Sequence, residues 1–204
     1  MAMPEFKNEH FDIVSILNSP SAVGPYRGHE VWTELEKVMN LVADGTLVLI
    51  DLKRTEWFNS AFCEPAFGPI FKALMTRTWS QKYLIFQMPE HHKRGFFQGV
   101  LKYLGKDVPR KEAENQFVAA GMYAKLMQDD GSINFVGDLS DDERTILDLV
   151  NNKRAVTAKQ MVQESPLSAG EVVDLLRSLS EDKYFVAKFG AEHFYSFYKY
   201  FEKG

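Results

Sequence analysis

The chain has 204 residues, enough for one large or two small domains, and its 45% apolar and 25% charged content is that of an ordinary globular protein. A net charge of −4 argues against a broadly basic nucleic-acid-binding surface, while leaving room for a local patch. No apolar run is long enough to span a bilayer. The start, Met-Ala-Met-Pro-Glu-Phe, lacks the basic-then-apolar order of a secretory signal, and the single cysteine, Cys63, excludes an internal disulfide framework. The expected location is therefore the reducing cytoplasm, with no membrane partner.

Residues 11–17 (Phe-Asp-Ile-Val-Ser-Ile-Leu) carry apolar side chains at 11, 13 and 17 and predict a short strand. Residues 18–28 hold two prolines and two glycines and predict a loop. From Glu30 to Ala43 the stripe Val31, Leu35, Val38, Leu41 and Val42 predicts a helix, stopped by Asp44-Gly45. Residues 46–52 are almost continuously apolar, as a central parallel strand buried on both faces should be. A second helix follows, from Trp57–Ser60 to about Met75, with Pro65 in its first turn and a kink at Pro69. Residues 83–88 predict another buried strand. Glu90 to Leu104 predicts a third helix, with Phe96, Phe97, Val100, Leu101 and Leu104 inward.

Alternating strands and helices imply right-handed crossovers and a small, mostly parallel sheet with covering helices, the α/β class. The charged stretch 107–116 predicts a boundary. Residues 122–136 predict a hairpin around Asp129-Asp130-Gly131, or equally a helix followed by a strand. The expected division is 1–106 as the α/β domain, 107–138 as a linker with a hairpin, and 139–204 as a second domain.

Three capping boxes open the helices of that second domain: Ser140 with Glu143, Thr157 with Gln160, and Ser168 with Glu171. They predict helices over 140–150, 157–164 and 168–180. Ile146, Leu147, Val150, Met161, Val162, Val172, Leu175, Leu176 and Leu179 are the expected core of this part. Residues 184–189 and 193–198 predict a hairpin around Gly190. Helix, helix, turn, helix and hairpin is the order of a winged helix-turn-helix.

Leu47-Val-Leu-Ile-Asp51, Trp57-Phe-Asn-Ser60-Ala-Phe62 and Ala66-Phe67-Gly68, with Arg27 in the loop ahead of a helix, together resemble the STAS-like family, related to bacterial anti-sigma-factor antagonists. The resemblance covers about residues 11–104. It implies a non-enzymatic α/β domain that binds protein partners, with Arg27, Asn59 and Phe62 as candidate contact residues. It also puts Ser60 where such antagonists are phosphorylated at a helix start, a position where free amides and the dipole favour a phosphate. Read from the residues alone, Ser60 is a helix cap.

The third helix of a winged helix normally reads the major groove, and Lys and Arg contacts to phosphate supply much of the affinity. Here its polar face carries Glu171, Asp174, Ser178 and Glu181, with Arg177 to one side. Residues 139–204 hold nine Lys/Arg against eleven Asp/Glu, a net of −2. Charge thus favours a protein-docking or dimerising module. DNA binding is the alternative, through Lys153, Arg154, Lys159, Ser168, Arg177 and Lys188. Six aromatics in residues 194–201 cannot all hide on one face of a strand, which predicts an interface and a homodimer.

Nothing in the spacing joins Cys63 to a histidine as a catalytic pair, and Cys63 reads as a small core residue. His91-His92 are adjacent, so they do not share one helical face as two metal ligands would, and they read as a surface pair. No catalytic, metal or cofactor site is expected. The expectation is a non-catalytic regulatory protein.

Overall fold

The structure, a computed structural model, describes residues 8–79, 82–153, 155–183, 185–189 and 194–196, the side chains of 187, 189, 194 and 196 excepted. The chain opens with β1 (Asn8–Asp12), which passes directly into α1 (Ile13–Leu17). The strand predicted over 11–17 is thus half helix. Asp12 accepts a hydrogen bond from the Val14 N–H at 3.1 Å and starts the helix, and Ile13 and Leu17, four apart, are buried on one helical face. After β2 (Ser21–Ala22), α2 (Pro25–Leu41) begins five residues before the predicted Glu30, inside the predicted loop. Pro25 is its first residue, where the fixed φ suits a helix and the missing N–H is not needed. Val31, Leu35 and Met39 face the core, while Leu41, expected inward, is 84% exposed.

β3 (Leu47–Asp51) is followed by β4 (Trp57–Phe58), which pairs in parallel with β2. α3 (Ser60–Met75) runs on through both Pro65 and Pro69, packed between its neighbours. Then come β5 (Tyr83–Gln87), α4 (Lys93–Tyr103), α5 (Ala113–Ala119), β6 (Ala124–Met127) and β7 (Ile133–Val136). The glycines of α4 have a packing role. A Cβ on Gly99 would lie 2.6 Å from the Cys63 Cβ and 2.7 Å from the Ser60 carbonyl oxygen, so only glycine lets α4 lie this close to α3.

The protein is an α/β structure with a mostly parallel five-stranded sheet and covering helices. Strand order is β1-β3-β5-β6-β7, with the first four parallel and β7 antiparallel. Register runs from Asn8↔Leu47 to Asp12↔Asp51 and from Leu47↔Tyr83 to Asp51↔Gln87. β6 and β7 form a hairpin closed by Gly131 at φ 79 and by the Ser132 N–H donating to Asp130 Oδ1 at 2.8 Å. Residues 107–138, expected as a linker, therefore supply a helix and two strands to the sheet unit. The charges of 107–116 lie on the outer faces of these short elements.

The remaining segment forms α6 (Asp141–Lys153), β8 (Val156–Thr157), α7 (Ala158–Glu164), α8 (Ala169–Arg177), a wide turn over residues 178–182, β9 (Ala187–Phe189) and β10 (Phe194–Ser196). β10 pairs antiparallel with both β8 and β9. All three capping boxes form. Ser140, Thr157 and Ser168 accept from the amides of Glu143, Gln160 and Glu171, whose side chains accept in return from the three cap amides.

Each face of the sheet has its own cover. Val48, Ile50, Leu84, Phe86, Ala124 and Leu126 pack under α2, α3, α4 and α5. Leu47, Leu49, Tyr83, Ile85 and Met127 pack against Ile146, Leu147, Val150, Leu176 and Leu179 of the C-terminal unit. Among the described residues no helix is long and apolar enough to cross a membrane.

Candidate functional site

Asn59, directly after β4, is extended (φ −141°, ψ 165°), so Asn59, not Ser60, caps α3. Its Oδ1 accepts from the Phe62 N–H at 2.9 Å and from the Gly24 N–H at 3.2 Å, which ties the start of α3 to the start of α2. Ser60 is the first helical residue and is half-buried. Arg27 Nη1 donates to the Ser21 carbonyl at 2.6 Å, which holds β2 against the first turn of α2. Phe62, expected at a contact surface, is wholly buried with its ring edge-on to Phe58 and Phe67. Its position three residues after the cap turns it into the core. The side chains offered to solvent here are instead Tyr26 (84% exposed), Trp57 (64%) and Val23. Large aromatics beside Pro25 and the polar loop before α3 were the available sequence signal for them.

Beneath this junction the polar groups are satisfied. His92 is buried, stacked on Phe58 at 4.8 Å, with Nε2 3.0 Å from the Thr55 carbonyl oxygen. Burial lowers its pKa below the ordinary imidazole value, against the hydrogen bond that the ring makes to the Thr55 carbonyl. Only His91 of the expected surface pair is exposed. Cys63 is buried and its thiol donates to the Phe96 carbonyl at 3.1 Å. Burial pushes the thiol well above its ordinary value, so it keeps its proton and is a poor nucleophile. At the C-terminal ends of β1 and β3, Arg54 pairs with Asp12 and His10 lies 3.0 Å from Asp51.

On the C-terminal unit, α8 turns Val172 and Leu176 inward. Ala169, Gly170, Glu171, Val173, Asp174 and Arg177 face outward. The Glu171 carboxylate folds back to the Ser168 N–H at 2.7 Å, and Arg177 stands 3.8 Å from Asp174. The Ser168 hydroxyl is occupied by its cap bond. Of the candidate phosphate contacts, Lys153 is paired with Glu164, whereas Lys159 and Lys188 are exposed. Arg154 lies outside the described residues, as does most of the aromatic tail. Within that tail the described side chain is Tyr195, which is half-buried.

The strongest polar feature of this unit faces inward. Lys183, from the turn after α8, donates to both Glu143 oxygens at 2.7 Å and to the Asp138 carbonyl at 3.0 Å, and Ser178 donates to Glu143 at 2.9 Å. Burial raises the Glu143 pKa, but the bonds from Lys183, Ser140 and Ser178 outweigh it and leave the carboxyl below its usual value. The pair binds α6 and the turn after α8 to the end of the sheet. Sequence reading gave Glu143 only its capping role, since Lys183 is forty residues away.

Among the described residues no group of three or more His, Cys, Asp or Glu side chains converges as a metal site. Comparison with protein-family models, curated proteins and solved structures gives no match to this chain.

Proposed function

We propose that the chain is a non-catalytic, cytosolic regulatory protein in which a STAS-like α/β domain docks a protein partner and a C-terminal winged helix works as a second protein-contact module. The observation that carries this reading is the outward face of α8 and the turn after it, where Glu171, Asp174 and Glu181 outnumber Arg177. A polyanion is repelled there, while a protein surface of mixed charge is not. The element order and the β8-β10-β9 sheet support the winged-helix reading. Exposed Tyr26 and Trp57, flanking the hydrogen-bonded start of α3, support docking on the α/β domain, because such aromatics are enriched at contact cores.

Two measurements test it. Random duplex DNA titrated into the full chain at low ionic strength should leave its fluorescence anisotropy unchanged. A shift that weakens steeply with added salt would transfer the function to transcriptional regulation through Lys159 and Lys188. A photocrosslinker at Trp57 should yield a discrete adduct in extract of the source cells, and one at exposed Leu41 should not. Equal labelling from both positions removes the docking surface.

A further inference from the structure

α3 begins at the Asn59 cap and ends at Met75, roughly 22 Å away. At that far end the sheet opens. The register of β5 with β6 runs over Phe86↔Leu126 and Gln87↔Met127, at the C-terminal end of β5. A pocket of about 320 Å³ lies in this gap, within the range of small-ligand sites. Phe71 and Leu74 of α3, Leu84 of β5 and Phe185 supply apolar wall.

Two lysines reach this pocket without a counter-ion among the described residues. Lys125 on β6 is 2% exposed, and its Nζ donates to the Phe185 carbonyl at 3.1 Å. Lys82, just before β5, is 9% exposed and donates to the Met39 carbonyl. The other charged groups that line the pocket are already matched, Arg77 to Asp182 at 2.9 Å and Lys183 to Glu143 at 2.7 Å, with Tyr123 beside Lys183. An ammonium has three donors, and a single carbonyl does not offset the cost of taking its charge out of water. Burial accordingly lowers the pKa of Lys125 to about 7. A ligand that brings a negative charge and an apolar body would give Lys125 the counter-charge it lacks and fill the gap together.

We infer that this pocket binds a small organic carboxylate with an aromatic or branched hydrocarbon body, the carboxylate taken by Lys125 in the field of Lys82 and the body packed on Phe71, Leu84 and Phe185. A carboxylate on a hydrocarbon body fits a wall that sets these lysines beside Phe71, Leu74, Leu84 and Phe185, the other two cations of the wall, Arg77 and Lys183, being already paired with Asp182 and Glu143. Phe185 follows α8 while the other walls belong to the sheet unit, so an occupant touches both parts of the chain. The site goes beyond the docking reading and fails separately from it, since binding is measured on the chain alone.

The test is calorimetric titration of the full chain with 2-naphthoate, and with 2-naphthamide as its uncharged isostere. Naphthoate should bind with a Kd below about 1 mM at pH 6.5, and the amide at least tenfold more weakly. Raising the pH from 7 to 9 should weaken naphthoate binding severalfold as Lys125 loses its proton. Lys125→Met and Lys82→Met, each checked for an intact melting transition, should each lose at least tenfold in naphthoate affinity. Equal binding of acid and amide overturns the inference, as does unchanged affinity in either folded variant. No binding by the unaltered chain, or tighter binding of inorganic phosphate, overturns it too.

Discussion

On one face of the sheet, Phe67, Phe71, Phe86, Phe96, Phe97 and Phe117 meet ring to ring, with centroids 4.7 to 5.8 Å apart. On the other, Leu47, Leu49 and Ile85 meet the aliphatic side chains of α6 and α8, and this contact is bordered by the Glu143–Lys183 pair and by Lys125 on the Phe185 carbonyl. Aromatic packing of this kind, part edge-to-face and part tilted or stacked, stabilises through buried area and ring geometry. A buried ion pair has one geometry, costs desolvation, and contributes little net stability while penalising every other placement of its partners. The difference teaches that the helix layer is held chiefly by burial, with its polar ties at the helix ends and rim, whereas the C-terminal unit is held by burial and oriented by a buried charge pair.

Three substitutions break or sharpen that contrast, in falling order of effect. Phe96→Ala removes the ring that touches Phe67, Phe71, Phe86 and Phe97, and should cost about 4 kcal/mol in urea unfolding. A loss below about 1 kcal/mol would mean the cluster relaxes and is not the anchor of that face.

Glu143→Gln leaves Lys183 buried without its counter-charge and should cost about 3 kcal/mol at pH 7, whereas Glu143→Leu with Lys183→Met should recover most of that loss. The pH dependence has a definite sign. The folded pKa of Glu143 lies below its ordinary 4.5, so its contribution is present above pH 4.5 and disappears as the pH falls through the lower folded value. In the Gln variant that acid-side loss should be missing. A double variant as unstable as the single one would show that the pair's hydrogen bonds, not its charge, join the two parts.

Lys125→Met should raise stability by about 1 kcal/mol near neutral pH, read as a higher melting temperature. Here the folded pKa of about 7 lies below the ordinary 10.5. The unfolded chain therefore holds the extra proton between those values, and stability rises with pH across that window. The Met variant should show no such rise. Destabilisation by this change would mean that the Lys125–Phe185 bond outweighs the desolvation of the ammonium.

Local signals were legible where a few neighbouring residues settle the outcome. Ser140, Thr157 and Ser168 form their capping boxes because cap and partner are three residues apart and need nothing distant. The unbroken apolar runs of β3 and β5 announced strands buried on both faces, and they are. Ile13 and Leu17 misled because a seven-residue window suits either period, and the decision lay with the Asp12 side chain. Asn59 and Ser60 are both good caps, and the choice between them was made by the Gly24 amide, which arrives from thirty-five residues upstream. Phe62 carried the right chemistry for an interface, but the register of α3 turns it inward.

Composition, period and cap chemistry by themselves determined the α/β class, most of the helices and strands, and the acidic outer face of α8, because each depends on groups a few residues apart. Only the tertiary structure decided that residues 107–138 complete the sheet, that the C-terminal unit covers its second face, and that Lys125 and Lys82 border one pocket. Those outcomes depend on which distant surfaces exclude water from each other. That choice is made by the whole set of competing contacts and leaves no mark in any short stretch of chain.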